Sequence, residues 1–114
     1  MCGVSTWSIA SVPAAAPESL IDAMVNRSNE LQDVSIMHIM TLGKAAYAQT
    51  KYSNSFKTHS LFIGANTRQA INDGRADYIP IFLSEIPILF SSKQVPVDVC
   101  LIQVSPPDSH GYCS

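Results

Sequence analysis

Short segments with the apolar spacing of helices alternate along this chain with short segments typical of strands. Residues 18–30 have helical spacing, whereas residues 34–40 alternate apolar and polar side chains over part of their length. A strand followed by a helix and another strand forms a right-handed crossover within a parallel sheet. The order of segments therefore predicts an α/β domain, with a mostly parallel sheet and flanking helices.

The same patterns give approximate boundaries. We predict helices over residues 18–30, 67–73 and 85–90. We predict strands over residues 34–40, 61–63, 76–79 and 97–104, all in one parallel sheet, and a weak strand over residues 7–12. Residues 49–59 are polar and are predicted to be a surface connection, and residues 44–48 a single helical turn.

Individual residues indicate how the helices are placed. The residues spaced for one face of the first helix are Leu20, Ala23, Met24, Arg27 and Leu31. Asn66 and Ser84 are predicted to cap the second and third helices at their first turns. Gly74 is predicted to end the second helix, and Pro87 is tolerated in the first turn of the third.

The composition indicates a domain that does not stand alone. The chain has 114 residues, enough for one core, and only 14% of them are charged, against about 25% in an average soluble domain. Hydrophobic residues make up 46%. Part of the surface is therefore expected to be covered in a larger assembly, and the apolar stretch at residues 79–90 together with the terminal loop, residues 105–114, is the expected patch.

Charge and hydropathy exclude two kinds of partner. A net charge of −2 provides no basic surface for a phosphate backbone, so nucleic acid is not an expected partner. The apolar stretches at residues 79–83 and 86–90 are separated by Ser84-Glu85 and contain prolines, so neither predicts a transmembrane helix. No membrane partner is expected.

The cysteines favour a reducing compartment. Cys2, Cys100 and Cys113 are odd in number and form no C-x-x-C pair, which indicates an intracellular protein. Cys100 lies in an apolar run and is predicted to be a small buried hydrophobe.

Three stretches carry a resemblance to a known family. Residues 61–68 (LFIGANTR), 74–87 and 97–114 resemble the N-terminal domain of the acetyl-CoA hydrolase/transferase family, which includes 4-hydroxybutyrate CoA-transferases. The resemblance is collinear over residues 13–114, so we expect a divergent N-terminal segment at residues 1–12 and part of that domain at residues 13–114. It implies the NagB/RpiA/CoA-transferase-like fold, in which two similar α/β domains surround an acyl-CoA site.

The resemblance also implies an activity. Members move CoA between an acyl-CoA thioester, such as acetyl-CoA, and a small carboxylate acceptor, as in acetate metabolism, and coenzyme A is their substrate rather than a cofactor. Their nucleophile is a glutamate of the C-terminal domain, which has no counterpart here, so we expect no catalytic residue in this chain and no activity from it alone.

The resemblance implies, further, a homo-oligomer at full length and a mitochondrial or cytoplasmic location. Hydrolysis and transfer both stay open. The alternative is a non-catalytic single domain that keeps the fold and serves as a binding or interaction module.

Loops at the carboxyl ends of the predicted strands are the expected ligand site, because open parallel sheets bind ligands there. These loops are residues 13–17, 41–43, 64–66 and 105–114. The last one, by resemblance, lies near the cleft between the domains. Ser105, His110 and Gly111 are therefore the predicted substrate-binding residues.

Other polar residues have more ordinary explanations. Glu85 is more simply a helix-start carboxylate than a nucleophile, and Arg68 and Arg75 are more simply partners of Asp73 or Asp77 than ligands of CoA phosphates. The spacing of His110 and Cys113 allows a Cys-His pair, but no third group orients it. His38 is predicted to be a core histidine, and no metal site is expected from the histidines and Cys113.

Overall fold

The structure is a computed structural model that describes residues 16–114, so the strand predicted over residues 7–12 lies outside the described residues. The elements in chain order are α1 (Glu18–Asn26), β1 (Val34–His38), β2 (Phe56–Ser60), α2 (Ala65–Asn72), β3 (Ala76–Tyr78) and α3 (Ile86–Ser91). Single turns of 3-10 helix occur at Ser28–Glu30, Ala46–Ala48, Thr50–Tyr52 and Leu83–Glu85. The turn predicted at residues 44–48 is therefore confirmed.

The three strands form one parallel sheet in the order β1-β2-β3. Val34 pairs with Phe56 at the start of the ladder, and Thr58 pairs with Ala76. The parallel pairing and the helix between β2 and β3 confirm the predicted α/β class.

One face of the sheet packs against α1 and the Ala46–Ala48 turn. The buried members of this cluster are Ile21, Val25, Val34, Ile36, Ala45, Tyr47 and Phe56. The predicted face of α1 was wrong in part, because Leu20 is 49% exposed while Ile21 and Val25 point into the core. The buried stripe lies one residue further along the helix.

The opposite face is covered by the chain that follows β3. Met37, Leu61 and Ile86 are buried there, and Ile79, Ile81 and Leu89 pack against them. Because α3 covers this face, the sheet is enclosed on both sides at its carboxyl end.

The second strand was predicted in the wrong place. It occupies Phe56–Ser60, inside the stretch interpreted as a surface connection, and residues 61–63 follow the strand rather than form it. Its inward residues are Phe56, Thr58 and Ser60, so two of the three buried side chains carry hydroxyls. The aliphatic content that marks most buried strands is absent here.

The strand predicted over residues 97–104 was also wrong, since this segment has no strand ladder within the described part of the chain. Val99 and Leu101 are partly buried, and Leu101 packs against the α1 cluster, so alternate side chains do face inward. Cys100 lies between them and is exposed, which corrects its predicted burial.

The helix boundaries were predicted with mixed success. Gly74, at φ 71°, ends α2 as predicted, and the Arg75 amide donates back to the Ala70 carbonyl. The predicted caps, Asn66 and Ser84, were wrong. The residues that precede α2 and α3 are Gly64 and Glu85, and no side chain caps either helix. The Asn66 side chain instead binds the loop that follows β1.

Candidate functional site

The carboxyl ends of β1 and β2 meet at one edge of the sheet, here called the carboxyl edge. His38 ends β1 and Ser60 ends β2 at paired positions. The chain leaves this edge through residues 39–45 after β1 and residues 61–64 after β2. Ligands of parallel α/β proteins bind at this kind of edge.

Asn66 fastens the loop that follows β1. Its Nδ2 donates to the Thr41 carbonyl oxygen at 2.8 Å and to the Gly43 carbonyl oxygen at 2.7 Å. Both protons of one amide therefore hold two carbonyls of the same loop. The first turn of α2 and the loop at residues 41–45 consequently move together.

Glu18 fastens the same loop from the side of α1. Its Oε1 accepts a hydrogen bond from the Lys44 backbone N–H at 2.9 Å. A Cβ at position 43 would lie 1.7 Å from that oxygen, so a side chain there would displace the carboxylate from its hydrogen bond to Lys44. Glycine at position 43 thus permits this placement of the Glu18 carboxylate.

The loop ends in a strained residue. Ala45 has φ 46° and ψ 46°, in the left-handed region that alanine rarely adopts, and it is buried. Backbone strain of this kind costs on the order of 1–3 kcal/mol and occurs often at functional sites. The fold therefore holds residues 41–45 in one specific shape.

Buried polar side chains lie beneath the loop. Burial lowers the pKa of His38 to about 4, so the imidazole is neutral at physiological pH, and its ring centroid is 6.2 Å from that of Tyr47. Burial raises the pKa of Tyr47 to about 12, with a further increase from Glu18 and an opposing effect of hydrogen bonding to Thr41. Both groups keep their neutral forms.

Buried polar atoms at this edge without a hydrogen-bond partner within residues 16–114 include two acceptors, Glu18 Oε2 and Asn66 Oδ1. His38 Nδ1 also has none, and its tautomer decides whether it donates or accepts. Buried polar atoms are nearly always hydrogen-bonded in folded proteins. The carboxyl edge therefore has spare capacity to accept hydrogen bonds.

The predicted substrate-binding residues lie in a closed terminal loop, residues 105–114. Ser105 closes it, since its N–H donates to the Ser114 carbonyl at 2.8 Å and its Oγ accepts from the Ser114 N–H at 3.0 Å. Asp108 Oδ1 accepts from the backbone N–H groups of His110 and Tyr112, at 2.8 and 2.9 Å. Gly111 turns the chain at φ 85°.

All three predicted residues, Ser105, His110 and Gly111, are exposed. The structure thus brings them together in one loop, and Asp108 organises that loop. Cys113 is exposed in the same loop.

Two of the remaining candidates have structural partners. Glu85 Oε2 accepts from the Phe82 N–H at 3.2 Å, and Arg75 binds Asp73 at 2.8 Å and the Ala48 carbonyl at 2.6 Å. Arg68 is exposed and forms no salt bridge with Asp73 or Asp77, which corrects its predicted pairing. No group of three or more His, Cys, Asp or Glu side chains in residues 16–114 is arranged to hold a metal ion.

Sequence reasoning missed Glu18 and Lys44 as residues of the site, since Glu18 was interpreted only as a helix start. Asn66 lies in the loop at residues 64–66 that was predicted for the site, but its side chain was interpreted as a helix cap. The available signal was Gly43, a glycine in a loop after a strand, because such a glycine often marks a close approach of another group.

The fold and the carboxyl edge define an α/β domain of the kind that binds a ligand across the ends of parallel strands. The profile of the acetyl-CoA hydrolase/transferase N-terminal domain matches residues 1–114. The chain belongs to this family.

Individual relatives agree with the family match. The chain is 45% identical over 98 residues to the 4-hydroxybutyrate coenzyme A transferase of Clostridium kluyveri, covering 86% of this chain and 23% of that protein. It is 48% identical over 103 residues to the succinyl-CoA:acetate/propanoyl-CoA:succinate CoA transferase of Fasciola hepatica, covering 89% and 21%. The chain thus spans less than a quarter of the length of these relatives.

A solved structure has the same fold. RipA from Yersinia pestis superposes with a TM-score of 0.79 at 26% identity, over 95% of this chain and 28% of RipA. Within residues 16–114, no helix has the length and apolar character needed to cross a membrane.

Proposed function

We propose that this chain is the N-terminal part of a CoA-transferase that moves CoA between an acyl-CoA thioester and a small carboxylate, and that its carboxyl edge forms one wall of the acyl-CoA site. The observation that carries the proposal is the loop at residues 41–45. Two side-chain fastenings, a glycine that leaves room for the Glu18 carboxylate and a strained alanine fix its shape at the edge where parallel α/β proteins bind ligands.

The relatives supply the substrate class. The enzymes of Clostridium kluyveri and Fasciola hepatica are named for 4-hydroxybutyrate, succinate, acetate and propanoyl groups. All are short acyl groups or carboxylates, so acetyl-CoA and acids of this size are the proposed substrates. Coenzyme A takes part as a substrate, and no separate cofactor is proposed.

The terminal loop is proposed as a second part of the wall. Asp108 fixes its shape and Ser105 closes it through Ser114, so the exposed His110 side chain and the Gly111 carbonyl are the groups proposed to face a ligand, with Ser105 holding the loop around them. The glutamate nucleophile is proposed to belong to a C-terminal domain that packs against this edge. Because that group is outside the chain, we expect only background turnover from the 114 residues alone.

An NMR titration of the ¹⁵N-labelled chain with CoA and acetyl-CoA tests the proposal. We expect shift changes concentrated at residues 41–45, 61–64 and 105–114. An assay with acetyl-CoA and acetate should give no turnover above background.

Shift changes confined to the opposite edge, or none at all, would overturn the proposed site. Turnover that disappears in Glu85→Gln or Cys113→Ala would place the nucleophile within this chain.

A further inference from the structure

The ammonium group of Lys44 has no acidic partner within the described residues. Its backbone N–H is held by Glu18, its side chain is exposed, and it forms no salt bridge within residues 16–114. By contrast, Arg75 is bound to Asp73 and Lys57 to Asp77. An unpaired ammonium on a rigid loop is suited to binding an anion.

The surroundings of Lys44 leave space for a ligand. It lines an open groove of about 300 Å³ between the Ala46–Ala48 turn and α2. The polar side chains of this groove are Lys44, Gln49, Thr50, Asn66, Gln69 and Arg75, with no carboxylate among the lining residues. The Nδ2 group of Asn66 and the Nε2 group of Gln69 already donate elsewhere, so the positive charge of Lys44 is the main attraction that the groove offers to an anion.

The backbone of Lys44 is fixed because both of its neighbours in sequence are held in place. Gly43 is held by Asn66 through its carbonyl oxygen, and Ala45 is buried with a strained backbone. The amide of Lys44 itself is held by Glu18. A side chain mounted on such a segment loses less freedom on binding than one on a mobile loop.

We infer that Lys44 binds an anionic group of the ligand, and that Glu18 and Asn66 are positioning residues that hold it in place. The inference rests on the proposed function, because it takes the groove to be part of the acyl-CoA wall. The anion is a phosphate of CoA or the carboxylate of the acceptor acid, and both have the chemistry that an ammonium recognises.

The test measures the affinity of CoA and, separately, of succinate by NMR titration of the purified chain. Lys44→Gln is expected to weaken one of the two ligands by about three- to tenfold, as one charge-assisted contact warrants. Lys51→Gln is the matched control, because it removes the same charge from a lysine that does not line the groove, although its neighbour Thr50 does. It should change either affinity by less than about twofold.

Variants of Glu18 test whether this residue acts by holding Lys44 in position. Glu18→Gln keeps an oxygen that accepts from the Lys44 N–H and should retain affinity, whereas Glu18→Ala should lose it and speed hydrogen exchange of the Lys44 amide. The double variant Glu18→Ala with Lys44→Gln should lose no more affinity than Lys44→Gln alone, because both changes remove the same contact.

The outcomes distinguish the role of Lys44, the positioning role of Glu18 and the proposed function. Equal affinities of Lys44→Gln and Lys51→Gln for both ligands would overturn the role of Lys44, even though CoA binding by the unchanged chain would uphold the proposed function. Additive losses in the double variant, or a loss in Glu18→Gln equal to that in Glu18→Ala, would overturn the positioning role. Failure of the unchanged chain to bind either ligand would overturn both proposals.

Discussion

His38 Nε2 and Ser60 Oγ lie 3.3 Å apart and share a hydrogen bond across paired positions at the ends of β1 and β2. Both residues are almost completely buried. The other ring nitrogen, Nδ1, has no hydrogen-bond partner in residues 16–114. Burial therefore keeps the imidazole in its neutral form, and the hydrogen bond to Ser60 offsets part of the cost of burying a polar ring.

The first prediction concerns the pH dependence of stability. The pKa of His38 falls from 6.5 when unfolded to about 4 when folded, so the unfolded chain binds a proton first as the pH decreases. The stabilising contribution is present above pH 6.5 and is lost towards pH 4. Urea unfolding should show a loss of roughly 2 kcal/mol from His38 between pH 7 and pH 5.

Two histidine variants identify the source of this loss. His38→Gln should remove most of the pH dependence in this range, whatever its absolute stability. In His59, burial also lowers the pKa, but Asp77 opposes the shift, so His59→Gln should remove less. Equal pH dependence in His38→Gln and the unchanged chain would show that His38 titrates normally in the fold.

The second prediction concerns Gly43. A methyl group at this position would overlap Glu18 Oε1, so Gly43→Ala should lower the free energy of unfolding by about 1–3 kcal/mol. Adding Glu18→Ala removes the overlapping carboxylate, and the cost of Gly43→Ala should then be much smaller. Thermal unfolding of the four variants measures this coupling, and additive costs would contradict the steric explanation.

The third prediction concerns Asp108. Removing its carboxylate in Asp108→Ala should speed hydrogen exchange at the His110 and Tyr112 amides by about tenfold, because a hydrogen bond to a charged acceptor is lost at each. Asp108→Asn keeps an acceptor oxygen, so its exchange rates should lie between those of the unchanged chain and those of Asp108→Ala. Asp98→Ala is the control outside the loop. Unchanged exchange in Asp108→Ala would mean that the loop is held by other contacts.

The fourth prediction concerns the apolar surface at the start of α3. Phe82, Leu83 and Ile88 are 76%, 71% and 60% exposed, a cluster that favours self-association of the isolated chain. The double variant Phe82→Gln with Ile88→Gln should reduce association in sedimentation runs across a concentration series. Leu20→Gln with Val104→Gln, which changes exposed apolar residues elsewhere, should not. An unchanged chain that stays monomeric at high concentration would refute the prediction.

The sequence predicted the fold where burial is aliphatic. Val34, Ile36 and Met37 give β1 three apolar side chains in five residues, so it was placed correctly, whereas β2 buries Thr58 and Ser60 and was missed. The period of two was still present, because Lys57 is exposed between Phe56 and Thr58. Hydropathy alone cannot distinguish such a strand from a polar connection.

The site was harder to predict than the fold. The loops at residues 41–43 and 105–114 were predicted from the sequence, but the contacts that fasten residues 41–45 span 23 to 26 positions of sequence and were not. Asn66 has the composition of a helix cap, and only the packed structure shows that its amide instead binds Thr41 and Gly43. Local propensity cannot reveal that choice.

The most direct test of the central claim is photo-crosslinking with an acyl-CoA analogue that carries a photoreactive acyl group. Mass spectrometry of the labelled chain should place the crosslinks at the carboxyl edge, in residues 41–45 and 61–66, and in the terminal loop, residues 105–114, and excess CoA should suppress them. Crosslinks that concentrate instead in the polar groove of about 440 Å³ at the other end of the strands, around Asp33 and Ser55, would contradict the account.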